Sequence, residues 1–112
     1  MSRAERDHDV RRSLATVASA PPFTSLRALE AASRHRSFSS AARELNVTHS
    51  AVSQSIRRLE AELGTTLFER KGSAMEPSSA ALRLARSYAE AAEALEAAIL
   101  EVAGVREGSA ES

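Results

Sequence analysis

Apolar residues recur at helical spacing along most of the chain, and the breaks in that rhythm divide it. Phe23, Leu26, Leu29 and Ala32 lie three residues apart and predict a helix to about His35, buried along that stripe. Thr24 or Ser25 is its expected N-cap, because the Pro21-Pro22 pair before it marks a boundary. After a break at Arg36-Ser37, a second helix capped by Ser39 is expected through Leu45, with Phe38, Ala41, Ala42 and Leu45 inward. Asn46 stands where that helix must stop, and Asn tolerates the left-handed conformation that a C-terminal cap requires. Val47 is expected to insert between helices, and Thr48 to cap a third helix running to about Leu63. Val52, Ile56, Leu59 and Leu63 form its inward face, and Gly64 ends it.

From Thr66 to Pro77 the pattern shortens. Leu67-Phe68 and Ala74-Met75 flank a Gly72-Ser73 turn, which reads as a brief β-hairpin. Ser78 or Ser79 then caps a helix through residue 103 built almost wholly of Ala, Leu, Glu and Arg. Its stripe, Leu84, Tyr88, Ala91, Leu95, Ile99 and Val102, is too long to bury against helices of a few turns. The simplest cover is the same helix of a second chain. The pattern thus predicts a mainly α fold divided into an arm over 1–20, a compact unit over 21–77, a pairing helix over 78–103 and a frayed tail over 104–112.

Composition narrows the function. With 112 residues, 43% hydrophobic and 27% charged, the chain suits one packed domain and not a disordered one. The absence of cysteine excludes disulfides, thiolate catalysis and cysteine-ligated zinc. No apolar run approaches the roughly 18 residues of a membrane span. The N-terminus lacks an apolar leader core, so a cytoplasmic protein is expected. His8, His35 and His49 are dispersed, and there is neither a Gly-rich phosphate loop nor a metalloprotease motif. No catalytic, cofactor or metal site is therefore expected.

A net charge of 0 taken alone speaks against nucleic acid, but its distribution does not. Residues 1–20 carry four Arg against three acids, a balance of +1. Residues 21–76 carry seven Arg and one Lys against six Glu, a balance of +2, and residues 77–112 carry three Arg against six Glu, a balance of −3. A mildly basic middle precedes an acidic helix. In the arm, Arg3, Arg6, Arg11 and Arg12 are either solvated or in reach of phosphate.

The informative segment is FSSAARELNVTHSAVSQSIR, residues 38–57. Ala42 permits a close helix crossing, Leu45, Val47, Val52 and Ile56 fill the angle, and Asn46 makes the turn. Two short helices at roughly 90–120° around a tight turn are the DNA-binding helix-turn-helix geometry. A purely structural helix corner shares the apolar positions but has no need of the polar run on the second helix, Thr48, His49, Ser50, Ser53, Gln54 and Arg57. Gln54 suits adenine, Arg57 guanine or phosphate, and the helix start at Thr48 offers backbone N–H groups to phosphate. His49 reads either as a DNA contact or as a surface imidazole. Arg58 is expected to pair with Glu62, and Arg70-Lys71 at the hairpin turn form either a wing on the DNA backbone or a solvated basic turn.

Residues 21–103 resemble the N-terminal domain of the LysR-type transcriptional regulators, and in particular the glycine-cleavage-activator subgroup. The string AVS-x-x-I-x-x-LE-x-x-LG-x-x-LF-x-R, from Ala51 to Arg70, carries the resemblance. It implies a winged helix-turn-helix, a linker helix forming an antiparallel dimer, and a partly palindromic promoter site. By the same resemblance Ser39, Thr48, His49, Ser50, Ser53, Gln54, Arg57 and Arg70 match DNA-contacting positions. Three local features depart from the family pattern: Gln54 replaces a longer basic residue, the wing lacks a further cation near Ser73 or Ala74, and Ser78-Ser79-Ala80-Ala81 replaces a Thr-x-Ala-Gly string. Family members continue into an effector domain, whereas this sequence stops at Ser112. The expected function is a sequence-specific regulator without its own ligand sensor, binding double-stranded promoter DNA as a homodimer. The alternative is an interaction protein that heterodimerises with a full-length relative and modulates it.

Overall fold

The computed structural model describes residues 22–104. The arm with Arg3, Arg6, Arg11 and Arg12, and the tail beyond Gly104, lie outside the described residues. The elements run α1 (Pro22–His35), α2 (Phe38–Leu45), α3 (His49–Leu63), β1 (Phe68–Lys71), β2 (Ala74–Pro77) and α4 (Ser79–Val102).

Helix α1 starts two to three residues before the expected cap. Pro22 already belongs to it, because the fixed φ of proline and its missing N–H suit a first helical turn. Ser25, the expected cap, is buried one turn inside. At the other end Arg36 takes φ 54°, and its N–H donates to the Ala32 carbonyl at 2.8 Å. Ser37, and not Ser39, caps α2, its hydroxyl accepting from Ser40 N at 3.0 Å. The left-handed Arg36 turns the chain so that α2 starts at Phe38, which puts Ser37 at the cap and Ser39 inside the first turn.

Asn46 ends α2 as expected, at φ 59° and ψ 46°. The N–H of Val47 donates to the Ala42 carbonyl and that of Asn46 to Arg43, the paired bonds of a Schellman motif. Thr48 caps α3, with Ala51 N donating to its Oγ1 at 3.0 Å, and Gly64 closes it at φ 66°. The hairpin pairs Phe68 with Pro77 and Lys71 with Ala74, leaving a two-residue Gly72-Ser73 turn. Gly72 alone takes positive φ there, the pattern of a type II′ turn. Ser78 caps α4 through Ala81 N.

Helix α1 packs against α2, α3 and α4 and is the hub of the domain. Leu29, Val52 and Leu67 are its most fully buried large side chains, and Ala28, Ala31, Ala32, Ala41, Ala42 and Ala81 surround them. These alanines let the helix axes approach closely. Three expected core residues lie at the surface: Phe23 is 63% exposed, Val47 45% and Leu63 46%. Phe23 and Leu63 sit at helix ends, where the stripe runs past the neighbouring helices, and Val47 lies in the turn between α2 and α3. No described helix is long and apolar enough to cross a membrane.

Candidate nucleic-acid interface

Helices α2 and α3 with the Asn46 turn form the expected helix-turn-helix, and α3 presents its N-terminal half outward. Thr48, His49, Ser50 and Gln54 are exposed and Ser53 is half-buried. The Thr48 hydroxyl is already occupied as the cap, which leaves its first-turn N–H groups as the anion-facing feature. Arg57 donates to Ser53 Oγ at 2.7 Å, drawing its guanidinium back along the helix toward the N-terminus. Ser39 is exposed on the first turn of α2. The His49 ring lies 6.1 Å from that of Phe38, tilted by 50°, and Phe38 meets Phe68 edge-on at 5.3 Å.

The wing is joined to this surface by Glu60, a half-buried residue of α3. Its carboxylate Oε2 accepts from Leu67 N at 2.8 Å and Phe68 N at 3.4 Å. Its backbone carbonyl accepts from Gly64 and Thr65. The available sequence signal is its position seven residues before the apolar pair Leu67-Phe68. Arg58 makes no ion pair with Glu62 among the described residues.

Strand alternation separates the two wing cations. Arg70 shares the face of Phe68 and lines a groove with His49, Ser53 and Arg57, whereas Lys71 lies on the opposite face. On β2, Met75 N donates to the Arg36 carbonyl at 3.0 Å and Arg36 Nη1 meets Glu76 at 3.2 Å. The left-handed turn at Arg36 thus anchors the second strand.

A second surface lies along α4. Leu84 is half-buried against the domain's own core, so the expected stripe is free only from Tyr88 onward. Tyr88, Leu95, Ile99 and Leu100 form an apolar trough that Phe23 of α1 completes. Ala92 lines this trough and Ala91 does not; Ala91 is exposed one position round the helix. Val102 extends the apolar strip beyond Ile99.

The model of the family described as bacterial regulatory helix-turn-helix protein, lysR family, matches residues 23–82. The HTH-type transcriptional activator AmpR of Citrobacter freundii is 61% identical over 49 residues, covering 44% of this chain and 17% of that protein. The glycine cleavage system transcriptional activator of Escherichia coli is 53% identical over 51 residues, covering 46% and 17%. The chain therefore spans about a sixth of the length of these two relatives. Among solved structures, the complex of the CbnR DBD with DNA superposes with a TM-score of 0.64 at 25% identity, over 75% of this chain and 98% of that one.

Proposed function

Because the chain belongs to the lysR family of bacterial regulatory helix-turn-helix proteins, we propose that it binds promoter DNA in the cytoplasm as a sequence-specific transcriptional regulator, two copies at a time. The observation that carries this reading is the exposed polar half of α3 beside a wing whose Arg70 shares its groove. In this reading the N-terminal half of α3 enters the major groove. Gln54 reads a base edge, and Arg57, with its guanidinium held toward the helix start, reaches guanine or phosphate. Ser39, Ser50, Ser53 and the N–H groups after Thr48 position the helix on the backbone, and His49 lies at its rim. Arg70 reaches phosphate from the groove side of the wing and Lys71 from the other.

The charge available to one copy is small, so affinity depends on joining two. The trough of Phe23, Tyr88, Leu95 and Ile99 supports pairing through α4, with Leu84 and Ala91 at its margin and Val102 at its end. Charge along α4 supports an antiparallel arrangement: Arg83 and Arg86 lie in its first half, and Glu93, Glu96 and Glu101 in its second. Two antiparallel copies set each cationic half against an acidic one. The function is binding, not catalysis, in keeping with relatives described as transcriptional regulators.

Selection of bound duplexes from a random pool, followed by gel-shift titration of the protein alone, tests the proposal. Enrichment of a two-half-site sequence with half-sites about one helical turn apart is expected. Failure to enrich any sequence, or tight binding only after a full-length relative is added, would refute it.

A further inference from the structure

We infer that Glu60 is a positioning residue for DNA binding, setting the angle between the recognition helix α3 and the wing; this rests on the reading of Arg70 as a phosphate contact. A half-buried carboxylate lining the groove with Arg57 and Arg70 is unexpected beside a polyanion, because it repels phosphate. Its hydrogen bonds account for it. One residue of α3 holds four of the five N–H groups from Gly64 to Phe68: its carbonyl accepts from Gly64 and Thr65, and its carboxylate from Leu67 and Phe68.

The carboxylate braces the entry to β1. Without it, Leu67 keeps its buried side chain and the bond from Ser78 N to its carbonyl, but the Leu67 and Phe68 N–H groups lose their acceptor. The other strand stays tied, through Met75 N to the Arg36 carbonyl and Arg36 to Glu76. Arg70 lies two residues beyond Phe68 on the same face, so a change at Phe68 is carried directly to the guanidinium. Arg57 and Gln54 stay on α3 and keep their relation to the bases. Glu60 therefore governs the wing's share of binding and not base choice.

The experiment uses the full chain and a duplex selected by the wild type. Glu60→Ala should keep the helical circular dichroism signal while the Leu67 and Phe68 amides exchange about tenfold faster. Its affinity should fall about tenfold and its salt slope by about one, with the selected base preference unchanged. Glu60→Gln retains an acceptor oxygen, so its amide exchange should stay near wild type, and with the repelling charge removed it should bind at least as tightly. Glu60→Asp keeps the charge but withdraws the carboxylate by one methylene, and carries the same test should the alanine variant unfold. A folded Ala or Asp variant with wild-type exchange at those amides, or with freed amides and an unchanged salt slope, overturns the inference. Arg70→Ala separates the two levels. If it lowers the slope and the Glu60 variants do not, the positioning role alone fails; if it too leaves the slope unchanged, the wing reading fails and takes the inference with it.

Discussion

Arg34 on α1 grips Glu44 on α2 with two parallel hydrogen bonds of 2.8 Å, while its Nε and Nη2 also hold Glu30 at 2.8 Å. His35 Nε2 lies 2.6 Å from the same Glu44. The Arg34 hydrogen bonds, then that of His35, hold the Glu44 carboxyl down to about 2 from an ordinary 4.5. A depressed carboxyl stabilises the fold above its unfolded value and loses that contribution as pH falls through its folded one. Thermal stability should therefore decline between about pH 4.5 and pH 2, and Glu44→Gln should flatten part of that decline. The brace is exposed, so its contribution at neutral pH is about 1 kcal/mol or less. Melting curves across that range check both statements; an unaltered acid profile in the variant would count against the brace.

The core should be unforgiving at the hub and lenient at the helix ends. Leu29→Ala removes a fully buried side chain among alanines that cannot refill the space, and should cost about 2–5 kcal/mol in urea unfolding. Val47→Ala, at a side chain 45% exposed, should cost less than about 1 kcal/mol. Equal costs would contradict the packing described.

Asn46 and Arg36 both adopt positive φ, yet they should respond differently to glycine. Asn46→Gly should be neutral or slightly stabilising, and Asn46→Val should cost about 1–2 kcal/mol, since a β-branched side chain crowds the left-handed conformation. Arg36→Gly relieves the same strain but removes the contact with Glu76, so it should loosen the wing. Urea unfolding together with amide exchange at Met75 separates strain from anchoring.

Gln54 and Arg70 should divide specificity from affinity. Gln54→Ala should alter the bases preferred in duplex selection. Arg70→Ala should weaken binding about equally on all sequences and lower the salt slope by about one. If both variants merely unfold by circular dichroism, the assignment of these side chains to DNA has no support.

Leu95 and Phe23 should act together although they belong to different helices. Leu95→Asp places a charge in the α4 trough and should convert the proposed dimer to a monomer, abolishing half-site cooperativity. Phe23→Ser should weaken the dimer in the same direction with little effect on the fold, because Phe23 is 63% exposed. Sedimentation at micromolar concentration checks both, and a monomeric wild type would sink the idea.

Local chemistry made much of the molecule readable in advance. The Asn46 and Gly64 stops, the Thr48 cap, the Gly72 turn and the uninterrupted final helix each follow from the preference of one or two residues for a particular backbone conformation. Periodicity likewise identified Leu29, Val52, Ile56 and Leu59 as core, since those stripes run mid-helix where neighbours on every side are assured. Ser39 was expected as the cap of α2 and Ser37 takes that place, because the cap depends on the φ of Arg36, a residue with no intrinsic claim to that conformation.

Relations between distant segments were beyond such reasoning. Periodicity says which face of a helix is apolar, not where a neighbouring helix ends, so Phe23 and Leu63 look like core until the packing leaves them outside, and Val47, expected to insert between two helices, stays 45% exposed in their turn. The same blindness concealed the junction of Phe23 with Tyr88 and Leu95. It also concealed Glu60, whose role appears only when the chain turns at Gly64 and brings the N–H groups of Leu67 and Phe68 to its carboxylate. Backbone preferences act within a few residues and are written in the sequence; hydrogen bonds and burial across longer separations exist only once the chain has folded back on itself.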